Sequence, residues 1–213
     1  MTDAEPPAES SADAAAGLAR KRPKPGERRV QILQTLASML ERPGSERITT
    51  AALAARLEVS EAALYRHFAS KAQMYEGLIE FIEQSVFSLI TQITQREPQL
   101  ALQASRIVAM LLQFGERNPG MARVMAGDAL VFENERLQQR MNQFFDKIEA
   151  ALRQSLRGDA SIAASATPTV DIQVLASTLT AFTMGRLQRF ARSGFKRPPT
   201  EHLDASLRHM LPG

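Results

Sequence analysis

The chain has 213 residues, of which 44% are apolar, and this is enough for one or two domains with a buried core. It contains no cysteine, which excludes disulfide frameworks, thiolate zinc sites, iron–sulfur clusters and cysteine nucleophiles. No apolar run approaches the length of a membrane span, and the first residues carry acids where a secretion signal needs bases. We therefore expect a soluble cytoplasmic protein.

The net charge of +3 is unevenly distributed along the chain. Residues 1–19 carry a charge of −4 and no base, residues 20–75 carry +6, and residues 76–213 carry +1. Positive charge concentrated in one N-terminal third favours a polyanionic partner such as DNA. A cluster of charges that only improves solubility explains the same distribution equally well.

Residues 1–27 are predicted to form a disordered tail, because they are rich in Ala, Pro, Ser and acids and show no apolar period. Four bases near its end and two at the start of the first helix form a basic arm: Arg20, Lys21, Arg22, Lys24, Arg28 and Arg29. Such an arm can follow DNA phosphates or lie in the minor groove. A solvated linker is equally consistent with these residues.

From residue 28 onward, apolar residues recur at every third or fourth position and never alternate with period two, which indicates an all-α protein. About nine helices are predicted, over residues 28–42, 49–56, 60–67, 70–94, 99–117, 119–126, 133–157, 170–193 and 201–210. Helix-breaking residues separate them, and residues 158–169 are predicted to form a loop. We expect a DNA-binding domain over residues 28–70 and a helical dimerisation and partner-binding domain over residues 71–213.

The stretch ITTAALAARLEVSEAALYRHF, residues 48–68, carries the sharpest local signal. Thr49 or Thr50 is suited to cap one short helix, and Ser60 is suited to cap a second. Two short helices joined by a three-residue turn form a helix-turn-helix, whose second helix enters the major groove of DNA. An ordinary helical hairpin is the alternative.

The residues predicted to contact DNA lie at the helix caps and on the outer face of the second helix. Small Ala62 allows close approach, Tyr65 can donate to a phosphate, and Arg66 can reach a base edge or a phosphate. His67, beside Phe68, is predicted to be structural. The predicted DNA-binding residues are Thr49, Thr50, Ser60, Glu61, Ala62, Tyr65, Arg66 and Lys71.

The basic first helix, the stretch ITTAALAARLEVSEAALYRHFASKAQMYEGLIEF and the all-helical body together resemble the TetR family of transcriptional regulators. The resemblance implies a homodimer, formed through C-terminal helices, that binds a palindromic double-stranded DNA site. More than one dimer per site is compatible with it.

Within that family, the stretches LIEFIE, FGERNPG and FFDKIEAALRQSLR are similar to nucleoid-occlusion factors. This similarity implies that FtsZ, the tubulin-like division GTPase, is a partner. It places the FtsZ-binding surface near Phe81, Arg117 and Asn118. From the spacing alone, Phe81 fits the edge of the core, and Arg117 and Asn118 fit a helix end that only caps and pairs.

The helix predicted over residues 170–193 is apolar and includes the small residues Ala181 and Gly185. Small residues permit close packing against a symmetry-related copy. A helix buried inside one protomer would show the same pattern.

No enzyme signature is present in the sequence. A glycine-rich loop followed by Lys and Ser or Thr is absent, and His202 and His209 lie too far apart on their helix to suggest a metal site. We predict no catalytic residue, metal or cofactor. The sequence predicts a nucleoid-associated DNA-binding factor that inhibits FtsZ assembly. A ligand-controlled TetR-type repressor is the alternative, and an enzyme is the third hypothesis.

Overall fold

The computed structural model describes residues 26–42, 48–131, 133–157 and 159–211, and throughout those ranges the chain is helical with no strand. The helices are α1 (Glu27–Leu40), α2 (Thr50–Arg56), α3 (Glu61–Tyr65), α4 (Lys71–Arg96), α5 (Leu100–Arg117), α6 (Pro119–Met125), α7 (Glu135–Leu156), α8 (Ala160–Ala163), α9 (Pro168–Arg192) and α10 (Leu203–Met210). A 3-10 turn, Asp128–Leu130, follows α6. Residues 1–25 of the tail predicted over residues 1–27, with the four arm residues among them, lie outside the described residues, whereas Glu27 already belongs to α1.

The nine predicted helices are present, with shifted ends. The prediction of an uninterrupted loop over residues 158–169 was wrong, because this stretch contains the single turn α8. Asp159 explains the difference, since its side chain accepts a hydrogen bond of 3.2 Å from the backbone N–H of Ile162 and so caps α8. The next helix begins two residues earlier than predicted, at Pro168, because proline is well suited to the first turn.

We call α1–α3 the head and α4–α10 the body. In the head, α1 packs against α2, and α2 packs against α3, while α1 also contacts α4 and α6 of the body. Each head helix contributes fully buried apolar side chains at helical spacing, and α3 contributes Leu64, followed by Phe68 just beyond its end. These side chains join one core that continues into the body.

The body is built around three long helices, α5, α7 and α9, which pack against one another, and α4 packs against α5 and α7. Phe144 of α7 is fully buried, with its ring centroid 5.7 Å from that of Phe87 on α4. Buried polar groups on α9 are satisfied within the helix, since the hydroxyl of Thr183 donates to the carbonyl oxygen of Leu179 at 2.8 Å. Helices α5, α7 and α9 therefore form a closely packed support for α4.

The short helix α6 packs against the C-terminal half of α1 and so connects the head with the body. A Cβ atom on Gly120 would lie 2.0 Å from the carbonyl oxygen of Ala37, so only glycine permits this approach. Arg123, with 8% of its surface exposed, donates to the carbonyl oxygens of Leu40 and Arg42 at 3.2 and 3.1 Å. These bonds close the C-terminal end of α1, whose last carbonyls have no partner inside the helix.

Helix α9 has one face buried within its own protomer and one exposed face. The buried face includes Leu179, Leu187 and Phe190, which fits the interpretation of a helix buried inside one protomer. A second face is exposed and consists of small and apolar residues. Its members are Val170, Val174, Ser177, Thr178, Ala181, Met184 and Gly185, which we call the α9 stripe.

Candidate nucleic-acid interface and partner surface

Side-chain caps define both helices of the helix-turn-helix. The hydroxyl of Thr49 accepts from the N–H of Ala52 at 3.2 Å, and that of Ser60 accepts from the N–H of Ala63 at 3.3 Å. These bonds satisfy N–H groups that lack partners at the start of each helix. The capping roles predicted for Thr49 and Ser60 are confirmed, while their contact with DNA stays a prediction.

A hydrogen bond between side chains joins α2 to α3. The hydroxyl of Thr50 donates to a carboxylate oxygen of Glu61 at 2.6 Å, a short bond of the kind made to a charged acceptor. Both residues were predicted to contact DNA, and in the free protein they bind each other. They hold the two helices in register, so they position the recognition helix α3 before any contact with a phosphate.

The outer face of α3 is exposed as predicted. Ala62, Tyr65 and Arg66 all lie at the surface, with Tyr65 45% exposed. The side chain of Arg66 makes no hydrogen bond or ion pair with any residue that the structure describes. A phenol and an unpaired guanidinium on one short helix can donate to phosphate oxygens and base edges.

Arg29 connects the start of α1 with the end of α3. Its guanidinium donates to the carbonyl oxygen of His67 and lies 4.1 Å above the ring centroid of Phe68. The bond uses the backbone oxygen of His67, so the structural role predicted for its imidazole stays a prediction. Arg29 was assigned only to the basic arm, because nothing local in the sequence links residues 38 positions apart.

Lys71, which was predicted to contact a phosphate, makes its contacts within the body in the free protein. Its ammonium forms an ion pair with Glu133, which precedes α7, and lies 5.7 Å from the ring centroid of Tyr75. Burial, together with the negative charge of Glu133, raises the pKa of Tyr75 far above its ordinary value, so this phenol stays neutral. Binding of Lys71 to a phosphate would have to displace Glu133.

A Glu133→Gln substitution should therefore raise the affinity for DNA about twofold to fivefold, because Lys71 no longer has to leave a charged partner. Lys71→Ala should weaken binding to every duplex and lower the salt slope by about one. Fluorescence anisotropy across a salt series measures both effects. Unchanged affinity in both variants would make Lys71 a purely structural residue.

Two further ion pairs connect α4 to α7. Arg136 pairs with Glu76, and Arg140 pairs with Glu83 at 2.6 Å. The hydrogen bond to Glu83 raises the pKa of Arg140 above its already high value, so the pair remains charged. These ion pairs hold the side of α4 that faces α7 and do not involve its opposite side.

The partner surface implied by the resemblance includes a residue on that opposite side of α4. Phe81 of α4 is 48% exposed, so its placement at the edge of the core was wrong and its placement at the surface is confirmed. Its neighbour Ile82 is fully buried, because the core-facing side of α4 points toward α5 and α7. A half-exposed phenylalanine on a rigid helix is suited to anchor a partner.

Arg117 and Asn118 stand at the end of α5 and have different environments. Arg117 is exposed and has no hydrogen-bond or ion-pair partner among the described residues. Asn118 is half-buried, and its side-chain amide donates to the carbonyl oxygen of Phe114 at 2.8 Å. Arg117 is therefore free for a partner, whereas Asn118 also closes α5.

A groove of about 400 Å³ between α4 and α5 was not found from the sequence. It is lined by Leu89, Gln92, Ile93, Arg96, Arg106, Ala109, Met110 and Gln113. Leu89 and Ile93 are half-buried there. Their helical spacing continues that of the buried residues, so only the position of α5 could distinguish them. Arg106 already pairs with Glu97 at 2.7 Å, so Arg96 is the cation at the edge of the groove whose side chain has no partner among the described residues. An apolar floor beside Arg96 suits a segment that carries apolar side chains and a carboxylate.

No cluster of His, Asp or Glu in the described ranges could hold a metal ion. Among the helices described, none combines the length and the apolar character needed to cross a bilayer.

Two family profiles match the chain. The profile "Bacterial regulatory proteins, tetR family" matches residues 32–78, which include the helix-turn-helix. The profile "Tetracyclin repressor-like, C-terminal domain" of the SlmA-like type matches residues 99–211. Together they extend over both head and body.

Curated relatives and solved structures agree with the profiles. The nucleoid occlusion factor SlmA of Salmonella paratyphi B is 51% identical over 189 residues, which are 88% of this chain and 95% of that protein. SlmA of Salmonella newport matches to the same extent. Among solved structures, the regulator FadR of Bacillus subtilis in complex with stearoyl-CoA covers 86% of this chain and 98% of its own, with a TM-score of 0.68 and 12% identity. A TetR regulator from Legionella pneumophila covers 90% and 100%, with a TM-score of 0.68 and 14% identity. At such identities the two structures show a shared fold.

Proposed function

The chain belongs to the TetR family of regulators and, within it, to the family of the nucleoid occlusion factor SlmA, and on that premise we propose that it binds palindromic chromosomal DNA as a homodimer and thereby inhibits FtsZ assembly over the nucleoid. The carrying observation is 51% identity over 88% of the chain, because a match of that extent includes both the helix-turn-helix and the body surface. The protein would act in the cytoplasm, on the nucleoid.

Exposed, unpaired groups on the head support the proposed DNA contact. Arg66 and Tyr65 project from α3, whose start is fixed by the Ser60 cap. A single recognition helix covers too few base pairs for a specific site, whereas two heads about one duplex turn apart cover a palindrome. The α9 stripe supports the dimer, since Val170 and Val174 are each more than half exposed, at 57% and 59%.

The body surface supports FtsZ as partner. Phenylalanine and arginine are enriched at protein interfaces, and Phe81 and Arg117 lie on the adjacent, packed helices α4 and α5. The groove between these helices extends toward Arg96. A partner segment with apolar side chains and a carboxylate would match that surface.

The joint between head and body supports an effect of DNA on FtsZ binding. Helix α6 begins directly after Asn118, at one edge of the partner surface, and packs against α1 of the head. DNA that favours one orientation of the heads would therefore act on the residues at the end of α5. Such an effect requires that DNA and FtsZ each bind one orientation more tightly than the other.

The test is light scattering and pelleting of FtsZ polymers formed with GTP, in the presence of this protein with and without a palindromic duplex selected from random DNA. We expect fewer polymers with the protein, and fewer still with the duplex. An Arg66→Ala variant should need about fivefold to 150-fold more duplex, since a specific arginine contact contributes about 1–3 kcal/mol. Arg208→Ala, on the exposed side of α10, is the matched control.

Two outcomes would replace the proposal. Tight duplex binding without an effect on FtsZ would favour the ligand-controlled repressor, and release of the duplex by a metabolite would establish it. Failure to select any duplex would remove the DNA-binding role itself.

A further inference from the structure

We propose that a pocket at the C-terminal end of α9 binds a small ligand that carries two or more phosphate groups. The pocket has a volume of about 350 Å³, which lies within the range of small-molecule sites. Its lining residues are Gly185, Gln188, Arg189, Arg192, Ser193 and Arg197, and we call it the arginine pocket. None of these residues belongs to the proposed DNA or FtsZ surface, so the ligand would be a further partner of the protein.

The chain around the arginine pocket carries positive charge and no acid. Residues 172–200 contain five bases and neither aspartate nor glutamate. The bases are Arg186, Arg189, Arg192, Lys196 and Arg197. None of the five forms an ion pair with a residue that the structure describes. The charge of the pocket is therefore left for an anion that the described part of the protomer does not supply.

One face of α9 provides most of the lining. Gly185, Gln188, Arg189 and Arg192 lie at positions i, i+3, i+4 and i+7, which share one side of a helix. A basic side chain in the last turn of a helix is favourable by itself, because the carbonyl groups at that end carry partial negative charge. This preference accounts for Arg189 and Arg192. It does not account for Arg197, which lies beyond the helix.

A Schellman turn brings Arg197 back beside α9. Gly194 has a φ of +62°, and its N–H donates to the carbonyl oxygen of Ala191 at 3.1 Å. The N–H of Phe195 donates to the carbonyl oxygen of Phe190 at 3.0 Å, which completes the motif. These bonds also occupy carbonyl oxygens at the end of α9, which lessens the negative potential that a helix C-terminus presents to an anion. The chain reverses after α9, and Arg197 lines the same pocket as the helix.

Two contacts hold the reversed segment in place. The hydroxyl of Ser193 accepts hydrogen bonds from the backbone N–H groups of Lys196 and Arg197, at 3.1 and 3.0 Å. The ring of Phe195 makes an edge contact with that of Phe190, which is buried in the core, and the ring centroids are 5.1 Å apart. The backbone of Arg197 is therefore fixed relative to α9 before a ligand binds. Such preorganisation lowers the entropy cost of binding.

The donors of the arginine pocket match phosphate oxygens. A guanidinium presents several N–H groups in one plane and can bind a phosphate through two of them. Three guanidiniums line the pocket, and the half-buried amide of Gln188, whose side chain has no partner within the described ranges, adds a neutral donor. A single phosphate monoester carries a charge of about −2 at most. A diphosphate or triphosphate group therefore matches three arginines better than one phosphate does.

The arginine pocket adjoins the face that is proposed to form the dimer. Gly185 belongs both to the pocket and to the α9 stripe, so an acidic side chain of the partner protomer is the competing occupant. Asp171 is the only acid of α9. Its two carboxylate oxygens already accept hydrogen bonds from the hydroxyls of Ser165 and Thr167. A ligand from solution is therefore favoured over an ion pair with α9 of the partner protomer.

The test is isothermal titration calorimetry of the purified full-length protein with tripolyphosphate, in a chloride buffer of low ionic strength. Inorganic phosphate and sulfate are titrated at the same ionic strength for comparison. We expect saturable binding of one tripolyphosphate per protomer, at least about tenfold tighter than the binding of phosphate. Binding should weaken as salt is added, because the contacts are partly exposed.

Two variants test the site itself. Arg189→Gln with Arg192→Gln and Arg197→Gln should weaken tripolyphosphate binding at least about tenfold, because charge-assisted hydrogen bonds are lost. Ser193→Ala keeps every charge but releases the segment that carries Arg197, and it should weaken binding about twofold to tenfold. The second loss distinguishes a preorganised site from diffuse attraction to a cationic surface.

A third variant, Lys147→Gln with Arg153→Gln and Arg157→Gln, is the matched control. It removes the same amount of charge from α7 and its C-cap, outside the pocket, and should bind tripolyphosphate like the original protein. Equal losses in the two triple variants, or binding that does not saturate, would overturn the proposal. The titration needs neither DNA nor FtsZ, so this failure would leave the proposed function intact.

Three further measurements identify other roles of the arginines, and each would replace the proposal. Dissociation of the dimer in the pocket variant, seen by analytical ultracentrifugation, would make the arginines a contact between protomers. A loss of duplex affinity as large as the loss of tripolyphosphate affinity would make them DNA contacts. Flotation with vesicles of phosphatidylglycerol and phosphatidylcholine tests a lipid headgroup as the source of the phosphate. Recruitment that the pocket variant loses, without saturable tripolyphosphate binding, would assign the pocket to a lipid surface.

Discussion

A Gly120→Ala variant is expected to lose about 3 kcal/mol of stability, the largest effect of any single methyl group that we predict. The added Cβ would lie 2.0 Å from the carbonyl oxygen of Ala37, a backbone atom inside α1 that cannot rotate away. Helix α6 would have to move off α1, and Arg123 would lose its bonds to the carbonyls of Leu40 and Arg42. Thermal unfolding at one fixed protein concentration should show a melting temperature lower by about 6–12 °C.

Gly115→Ala in the neighbouring helix α5 is the matched control. Its Cβ would meet Cδ2 of Leu187 at 2.4 Å, which is the end of a side chain that can change rotamer. Both substitutions add the same helix propensity, so that contribution cancels between them. We expect Gly115→Ala to cost clearly less than Gly120→Ala. Equal losses would show that the approach of α6 to the α1 backbone is not the cause.

Arg117→Glu is expected to abolish inhibition of FtsZ while DNA affinity stays within about twofold of the original. Reversal of a charge within an interface removes an attraction and adds a repulsion, which together cost several kcal/mol. The fold should tolerate the change, because Arg117 is exposed and unpaired among the described residues, at the last position of α5. Only a small loss follows from placing a negative charge at a helix C-terminus.

The measurement combines FtsZ pelleting with duplex binding on the same preparation. Arg157→Glu makes the same charge change at the exposed end of α7, which contacts the start of α5 and so lies at the opposite end of α5 from Arg117, and it should leave both activities unaltered. If Arg117→Glu lost DNA binding and FtsZ inhibition together with an unchanged melting temperature, the two surfaces would overlap. If it inhibited FtsZ normally, the assigned surface would be wrong.

The helix-turn-helix could be predicted almost completely because its determinants are local. Thr49 and Ser60 cap helices through bonds that span three residues, and the sequence shows such spacings directly. The exposure of Ala62, Tyr65 and Arg66 follows from the same helical period once Leu64 is assigned to the core. The assignment of Thr50 and Glu61 to DNA missed their mutual bond, because it depends on how α2 crosses α3.

The partner surface shows what a periodic pattern leaves open. Phe81, Leu89 and Ile93 all fit an apolar stripe on α4, yet Phe81 is exposed and the other two line a groove. The helices packed against α4 cover only part of its apolar stripe, and the rest is exposed or lines the groove. The period of a single helix cannot show which part that is.

The sequence by itself determined an all-helical chain, the capped helix-turn-helix, the concentration of positive charge near it and the acidic segment before it. These features depend on residue type and on spacings of three or four positions, so they can be recognised without knowing what packs where. Only the tertiary structure decided that Lys71 pairs with Glu133, that Arg29 binds beyond α3 and that Gly120 lets α6 rest on α1. Those contacts join residues 62, 38 and more than 80 positions apart, and the packing of whole helices, not local preference, brings them together.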